Sequence, residues 1–240
     1  MKHVGLNARS AAFAAIVGFV LPQIAEAGGT ITGTISLEGT APQRQPIKMS
    51  ADPTCEAANP GGRLGEVFVV KDGKVQNVFV YIKDGLGDQK FDVPAAPAVM
   101  DQHGCMYAPH VLGLMVGQEL EIRNSDSTLH NVHSLAEKSK PFNNAMPMKG
   151  MTIKRKFTEP EVMVRVKCDV HPWMASYIGV LNHPFFAVSA ENGTFSIANV
   201  PAGTYTIEAW HEKMGTKTAA VTVTDAGSAT ADFAFKPAAE

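Results

Sequence analysis

Three scarcities limit what this chain of 240 residues can be. Its three cysteines are an odd number, so at least one lies outside any disulfide. A formal net charge of only −2 gives no electrostatic basis for binding nucleic acid or an acidic membrane surface. No Ser/His/Asp arrangement, phosphate-binding glycine loop or paired-carboxylate motif stands out. The sequence therefore does not predict an enzyme.

What the chain does have favours a β-rich fold. Hydrophobic residues make up 45% of the sequence, including 12 Phe, so a real core can form. The 21 Gly and 15 Pro favour many short strands and turns over long helices. We predict an all-β protein.

The N-terminal residues have the pattern of an export signal. Lys2 and Arg9 give a positive start, an apolar run follows over residues 11–21, and Ala25-Glu26-Ala27 fits a cleavage site. The apolar run is too short to span a bilayer comfortably, and no later stretch is apolar for long enough. We expect residues 1–27 to be removed and the protein to be exported, most simply to a bacterial periplasm.

An oxidising compartment favours pairing of two of the cysteines. Cys55 and Cys105 are the expected pair, because Cys168 stands in a metal-ligand context and they do not. Such a bridge closes a loop of about 50 residues and contributes on the order of 4 kcal/mol in the chain-entropy model. The alternative is a second metal site formed by Cys55, Cys105 and His103.

Alternating and turn patterns predict strands along most of the chain. Residues 29–37 alternate as a half-buried strand does, and residues 67–70 and 75–82 read as a hairpin around Asp72-Gly73. Residues 98–181 read as a further run of strands. Residues 186–188 and 194–197 form a second hairpin signal around Asn192-Gly193.

The most specific signal is the loop Cys168-x2-His171-x2-Met174, preceded by a possible second imidazole at His130 or His133. A thiolate, two imidazoles and a weak axial thioether are the ligands of a mononuclear electron-transfer copper site. Zinc would have little reason to recruit Met174, and a binuclear copper site would need a second cysteine in the loop. The pattern indicates one copper ion that alternates between Cu(I) and Cu(II).

Residues 98–183 resemble the cupredoxins, the small blue copper β-sandwich proteins, and among them the short-loop amicyanin and plastocyanin type. The resemblance rests on the His130–His133 segment after an Asn/Asp turn, and on the Cys168–Met174 loop with its internal proline. It implies a Greek-key β-sandwich with a type 1 (blue) copper site. The implied ligands are His130, Cys168, His171 and Met174.

The same resemblance implies roles for the neighbours of these ligands. Asn131 would hydrogen-bond locally and fix the loop that carries Cys168, and Pro172 would stiffen that loop. His171, flanked by Pro172 and Trp173, would lie at a solvent-facing apolar patch and serve as the electron port. His133 is the less favoured alternative to His130 as a ligand.

Residues 184–237 resemble the carboxypeptidase regulatory-like (transthyretin-like) β-sandwich. The resemblance rests on the segments 191–197 and 200–205. Such domains begin with an alternating glycine-containing strand, and that strand stands instead at residues 29–37. We therefore expect a discontinuous sandwich formed by 28–93 and 184–237, with a copper domain at 98–183 inserted. A tandem arrangement is the alternative.

The expected function is single-electron transfer between redox proteins, such as a dehydrogenase, a cytochrome c or an oxidase. The alternative is a periplasmic copper chaperone or store, suggested by the methionines at 146, 148 and 151. A copper oxidase or reductase subunit would need an open coordination position, which Met174 is expected to fill. Trp210-His211-Glu212 is interpreted as an aromatic strand end with a solvated histidine, and a small functional cluster is the alternative.

Overall fold

A computed structural model describes Met1 and residues 28–237, which form 21 strands and one short helix. The predicted leader lies outside the described residues. Within them, no helix is long and apolar enough to span a membrane. The elements in chain order are β1 (Gly29–Leu37), β2 (Pro46–Ile47), α1 (Pro53–Ala58), β3 (Arg63–Leu64), β4 (Val70–Lys71), β5 (Lys74–Val75), β6 (Phe79–Asp84), β7 (Ala98–His103), β8 (Met106–Ala108), β9 (Val111–Met115), β10 (Leu120–Asn124), β11 (His130–Ser134), β12 (Asn143–Met146), β13 (Thr152–Arg155), β14 (Glu161–Lys167), β15 (Ala175–Leu181), β16 (Phe186–Val188), β17 (Thr194–Val200), β18 (Gly203–His211), β19 (Gly215–Val223), β20 (Ser228–Thr230) and β21 (Phe233–Phe235).

The all-β prediction is confirmed: β2 and β3 pair only with each other, and the other strands form two layered units. In the first unit, one sheet has the order β17-β1-β5-β4, with β20 and β21 also paired to β1. The facing sheet has the order β16-β6-β18-β19. Buried residues of both sheets, among them Ile31, Ile82, Ile207 and Phe235, form one core. Strands from both ends of the chain thus share these sheets.

The second unit holds the predicted copper ligands. Its sheets have the orders β13-β10-β7-β8 and β12-β11-β14-β15-β9. β9 and β15 are parallel over five residue pairs, whereas β14 and β15 are antiparallel and are joined by the Cys168–Met174 loop. A second core, which includes Leu120, Ile122 and Val164, fills the space between these sheets. The ligand loop therefore emerges at one end of a packed sandwich.

Aromatic side chains pack the two units together. Phe79 from β6 is fully buried in a small cluster with Val111 and Leu181 of the second unit. A Cβ atom at Gly179 would lie only 2.3 Å from the Phe79 ring, and one at Gly113 would lie 2.2 Å from the ring of Phe186. Glycine at these two strand positions allows the rings to lie directly on the backbone of β9 and β15.

The hairpin predicted around Asp72-Gly73 forms, because β4 and β5 pair antiparallel with Val70 opposite Val75, but its second strand is shorter than predicted and the second predicted hairpin does not form. The strand predicted over 75–82 is interrupted, because Asn77 adopts a left-handed conformation (φ 65°) and the Val78 N–H bonds to the Ser189 hydroxyl at 2.9 Å. β16 and β17 do not pair with each other: β16 pairs with β6 and β17 with β1, in different sheets. The turn at Asn192-Gly193 therefore connects two layers.

The segment around α1 packs against the second unit. Asp52 caps the helix by accepting the N–H groups of Thr54 and Cys55, and a proline occupies its first turn. Cys55 forms a disulfide with Cys105, as the sequence predicts, with their Cα atoms 5.6 Å apart. Met49 and both half-cystines belong to the second core. This segment thus reaches the predicted copper site from outside the residues that carry the cupredoxin resemblance.

Candidate metal centre

His130 is the first residue of β11 and is fully buried. Asn124, at the end of β10, fixes the loop that leads to His130. Its amide donates to the carbonyls of Thr128 and Met146, and its side-chain oxygen accepts the N–H of Asp126. An Asx turn of this kind fixes a short loop without regular secondary structure. The imidazole of His130 therefore projects from a well-defined strand end.

The Cys168–Met174 loop closes on itself. The Cys168 N–H donates to the Met174 carbonyl at 3.2 Å, and the Met174 N–H donates to the His171 carbonyl at 2.9 Å. The His171 N–H also donates to the Cys168 sulfur at 3.3 Å. These bonds hold the thiol, the imidazole and the thioether in one tight turn between β14 and β15.

Three candidate donor atoms converge beneath the surface. The Nδ1 atoms of His130 and His171 are 2.9 Å apart, and the Cys168 sulfur lies 4.0 Å from Nδ1 of His171. All three residues are at most 2% exposed. Met174 is also fully buried and packs in the same core as Cys168. The structure thus brings together the histidines and the free thiol, with the methionine at the end of the same loop.

The outer nitrogens of both imidazoles are held by carboxylates. Nε2–H of His130 donates to Asp126 at 2.9 Å, and Nε2–H of His171 donates to Asp52 at 3.0 Å. A carboxylate on one ring nitrogen fixes the tautomer and leaves the other nitrogen available for a metal. Both histidines therefore direct their Nδ1 atoms at the same point.

The protonation of the pair follows from its surroundings. Burial alone would lower the pKa of His130, but Asp126 and Cys168 outweigh it and raise that pKa to about 9. Burial lowers the pKa of His171, and the neighbouring positive His130 adds to this effect. Without a metal, Nδ1 of His130 therefore carries a hydrogen and donates it to Nδ1 of His171.

The surroundings of Cys168 favour deprotonation of its thiol. Burial alone would raise its pKa, but the hydrogen bond with His130 and the surrounding backbone N–H groups lower it below the ordinary value. A thiolate with two imidazole nitrogens suits copper or zinc, and the buried thioether at the same loop favours copper. The residues present fit a copper ion.

Asn131 connects its strand to the ligand loop. Its side-chain oxygen accepts the N–H of Asp169, the residue after Cys168, and its amide donates to Asn143 at 2.6 Å. Pro172 lies exposed in the loop and contributes no N–H. The side chain of His133 lies apart from the donors, where it bonds to Asp169 at 2.9 Å and is 29% exposed.

The expectation that His171 faces solvent is wrong. His171 is 2% exposed, because α1 covers it: its Nε2 contacts Asp52, and the Cys55 sulfur lies 3.6 Å away. Two large hydrophobic residues beside the donors are exposed instead, Leu129 and Val170, at 42% and 43%. Each is the chain neighbour of one donor histidine.

The methionines at 146, 148 and 151 lie in three different environments. Met146 is fully buried, and its sulfur accepts the Gln102 amide at 3.0 Å. Met148 is 66% exposed, and Met151 packs against the second core. The three side chains thus differ widely in exposure.

Asp52 and Asp126 were not predicted from the sequence as site residues. Asp126 stands four residues before His130, but its segment reads simply as a turn. Asp52 is far from the ligands in sequence, and only the helix-start pattern Asp52-Pro53 beside Cys55 hints at its place. The disulfide and a hydrogen bond from the Thr128 hydroxyl to Asp52 connect its segment to the site.

A second buried polar cluster lies where the two units meet. Nε2 of His110 contacts Glu212 at 2.6 Å, the Tyr177 hydroxyl donates to Glu212 at 3.0 Å, and Glu66 lies 3.6 Å from Nδ1 of His110. The expectation of a solvated His211 is wrong: this residue is 2% exposed, and burial lowers its pKa to about 4. The cluster borders a cavity of about 320 Å³ that Pro172 and Trp173 also line.

Parts of the chain are similar to known proteins. Residues 180–236 match the family model of the carboxypeptidase regulatory-like domain, which confirms the resemblance of the C-terminal segment. No curated protein matches the chain.

Solved structures that are similar to part of the chain include copper proteins. A Cu-containing nitrite reductase from Thermus scotoductus SA-01 shares 24% identity over 40% of this chain and 26% of its own length, with a TM-score of 0.34. A purple cupredoxin from Nitrosopumilus maritimus shares 24% identity over 35% of this chain and 98% of its own, with a TM-score of 0.30. A reduced amicyanin variant shares 23% identity over 42% of this chain and 97% of its own length, with a TM-score of 0.32.

Proposed function

We propose that this protein is an exported blue copper protein that binds one copper ion and carries single electrons between redox proteins. His130, Cys168 and His171 would hold the ion, with Met174 as a weak axial contact. Bound copper would supply a one-electron Cu(I)/Cu(II) couple. The observation that carries the proposal is that two imidazoles, each bonded to a carboxylate through Nε2, bring their Nδ1 atoms to within 2.9 Å of each other beside a buried thiol.

Burial of the donors favours transfer of electrons over conversion of a substrate. The donor residues are at most 2% exposed, and Pro172 and Trp173 line the cavity beside the loop. An enzyme that binds a substrate at copper needs an open position on the ion. A carrier needs donors that move little between oxidation states, and the hydrogen bonds within the loop and to the two aspartates restrict such movement.

The exposed neighbours of the ligands suggest where a redox protein docks. Leu129 and Val170 are apolar, partly exposed and adjacent in sequence to His130 and His171. A donor or acceptor that buries them would come close to both imidazoles. Because the net charge of the whole chain is only −2, we expect apolar contact to matter more than long-range steering.

The test separates a carrier from a copper chaperone. The copper-loaded protein should show a reversible one-electron couple with fast electron self-exchange, and it should keep its copper when mixed with a metal-free acceptor. Rapid delivery of Cu(I) to the acceptor, without a reversible couple, would contradict the proposal and support the chaperone. The Met148→Leu variant serves as control, because its exposed thioether lies outside the donor cluster and should affect neither measurement.

A further inference from the structure

Two aspartates hold the site in matching ways. Asp126 accepts the N–H of Cys105 at 2.8 Å and the Nε2–H of His130 at 2.9 Å through the same oxygen. Asp52 accepts the N–H of Cys55 at 3.2 Å with one oxygen and the Nε2–H of His171 at 3.0 Å with the other. Each carboxylate thus joins one half-cystine to one candidate ligand.

The disulfide completes the connection between the aspartates. Cys55 and Cys105 are covalently bonded, with their Cα atoms 5.6 Å apart. Asn59 reinforces this link, because its amide donates to the Cys55 carbonyl at 2.8 Å and to the Gly104 carbonyl at 3.1 Å. We call Asp52, Cys55, Cys105 and Asp126 the bracket. It runs from one imidazole to the other through two carboxylates and one S–S bond.

A further contact ties the bracket to the loop before His130. The Thr128 hydroxyl donates to Asp52 at 2.8 Å, on the same oxygen that contacts His171. Asp52 therefore touches α1, the loop that precedes one ligand, and the other ligand itself. The side chains of Asp126 and Asp52 are 9% and 19% exposed, so water competes little for these bonds.

We propose that the bracket positions both histidines for the metal and that Asp52 and Asp126 are positioning residues. The inference rests on the proposed copper site. The carboxylates keep the hydrogen on Nε2 of each imidazole and orient both Nδ1 atoms inward, and the disulfide sets the spacing between the carboxylates. Through the carboxylates, the disulfide thereby controls the affinity of the site for the metal and the reduction potential of the bound metal, although it does not contact the metal.

The sign of the effect on the potential follows from charge. A nearby carboxylate stabilises the more positive oxidised ion more than the reduced ion. Removing it should weaken binding of Cu(II) more than binding of Cu(I), and so raise the reduction potential. A tenfold difference between the two losses corresponds to a rise of about 59 mV for one electron.

The first variant is Asp52→Asn. Asparagine caps helices as well as aspartate does, so α1 should remain while the negative charge is lost. We expect the Cu(II) dissociation constant, measured by chelator competition, to rise roughly 10–100-fold, and the potential to rise as well. The matched control is Asp232→Asn, because Asp232 also accepts a backbone N–H, that of Thr34 at 2.8 Å, but lies in the other unit. It should change neither quantity.

The second variant is the Cys55→Ala/Cys105→Ala double mutant, which keeps both carboxylates and removes the disulfide between the two residues whose N–H groups they accept. We expect it to bind copper more weakly than the parent, as Asp52→Asn does.

A third experiment needs no metal and uses the ¹⁵N shifts of the His171 ring. The Nε2–H form should dominate in the parent and decline in Asp52→Ala. The backbone ¹H–¹⁵N spectrum of the same sample shows whether each variant is folded.

The outcomes distinguish the two proposals. If the parent binds copper tightly while Asp52→Asn and the folded double mutant retain its affinity and potential, the positioning role is overturned. If the parent binds no copper, the proposed function fails. In that case the metal-free ¹⁵N shifts still decide whether Asp52 sets the tautomer of His171.

Discussion

The contact between His110 and Glu212 offers a quantitative test of how the two units are held together. Nε2 of His110, on the copper-ligand unit, lies 2.6 Å from a Glu212 oxygen on the other unit, and the two side chains are 7% and 8% exposed. Glu212 also accepts the Tyr177 hydroxyl at 3.0 Å. Glu212→Ala would leave a buried imidazolium without its main partner. Loss of one member of a buried pair costs about 3–5 kcal/mol in the free energy of unfolding.

The pH dependence of this contribution has a definite sign. Burial alone would lower the pKa of His110, but Glu212 outweighs it and raises that pKa above 6.5. Burial alone would raise the pKa of Glu212, but His110 lowers it below 4.5. The contribution of His110 is full below pH 6.5 and is lost as the pH rises through its raised pKa. That of Glu212 is full above pH 4.5 and is lost as the pH falls through its lowered pKa.

Urea unfolding of the parent and of Glu212→Ala, at pH values from 5 to 9, measures both effects. The stability difference should be largest between pH 4.5 and 6.5 and should shrink at alkaline pH. Glu191→Ala is the matched control, because the Lys71–Glu191 pair has the same 2.6 Å separation with side chains 65% and 67% exposed. Its effect should be far smaller. Equal effects for the two variants, or a difference that does not change with pH, would refute the reasoning.

Three further predictions concern other parts of the molecule. Asn131→Ala removes the acceptor of the Asp169 N–H and should destabilise the protein by about 1–3 kcal/mol in urea unfolding; an unchanged midpoint would contradict the role of Asn131 in fixing the ligand loop. Gly179→Ala places a Cβ atom 2.3 Å from the Phe79 ring and should cost about 1–3 kcal/mol, whereas Gly61→Ala, with open space around it, should not. Expression of the full chain in a bacterium with an export pathway, followed by mass spectrometry, should give a mature N-terminus at Gly28. A product that keeps residues 1–27 would show the leader prediction to be wrong.

The ligand loop could be found from the sequence because its information is local. Cys168, His171 and Met174 stand three residues apart between two alternating strands, so one short segment specifies both the donors and the turn that gathers them. His130 needed a second inference, namely that two strand ends meet. The disulfide followed from counting cysteines and setting one aside for the metal.

The surroundings of the ligands depended on contacts that no local pattern records. Asp52 reaches His171 because the disulfide and the hydrogen bond from Thr128 hold the segment around α1 against the second unit, so the burial of His171 could not be predicted from its own segment. The hairpin predicted around Asn192-Gly193 failed for a similar reason. A two-residue turn signal specifies a reversal of the chain, but not that the next strand pairs in another sheet.

The most direct test of the central claim is the visible and EPR spectrum of the purified protein loaded with Cu(II), compared with that of Cys168→Ser. The account predicts an intense thiolate-to-copper charge-transfer band and narrow copper hyperfine splitting in the parent, and loss of both in the variant. A parent protein that is colourless and EPR-silent after oxidation would contradict the account, and so would a Cys168→Ser protein that keeps the colour and copper affinity of the parent.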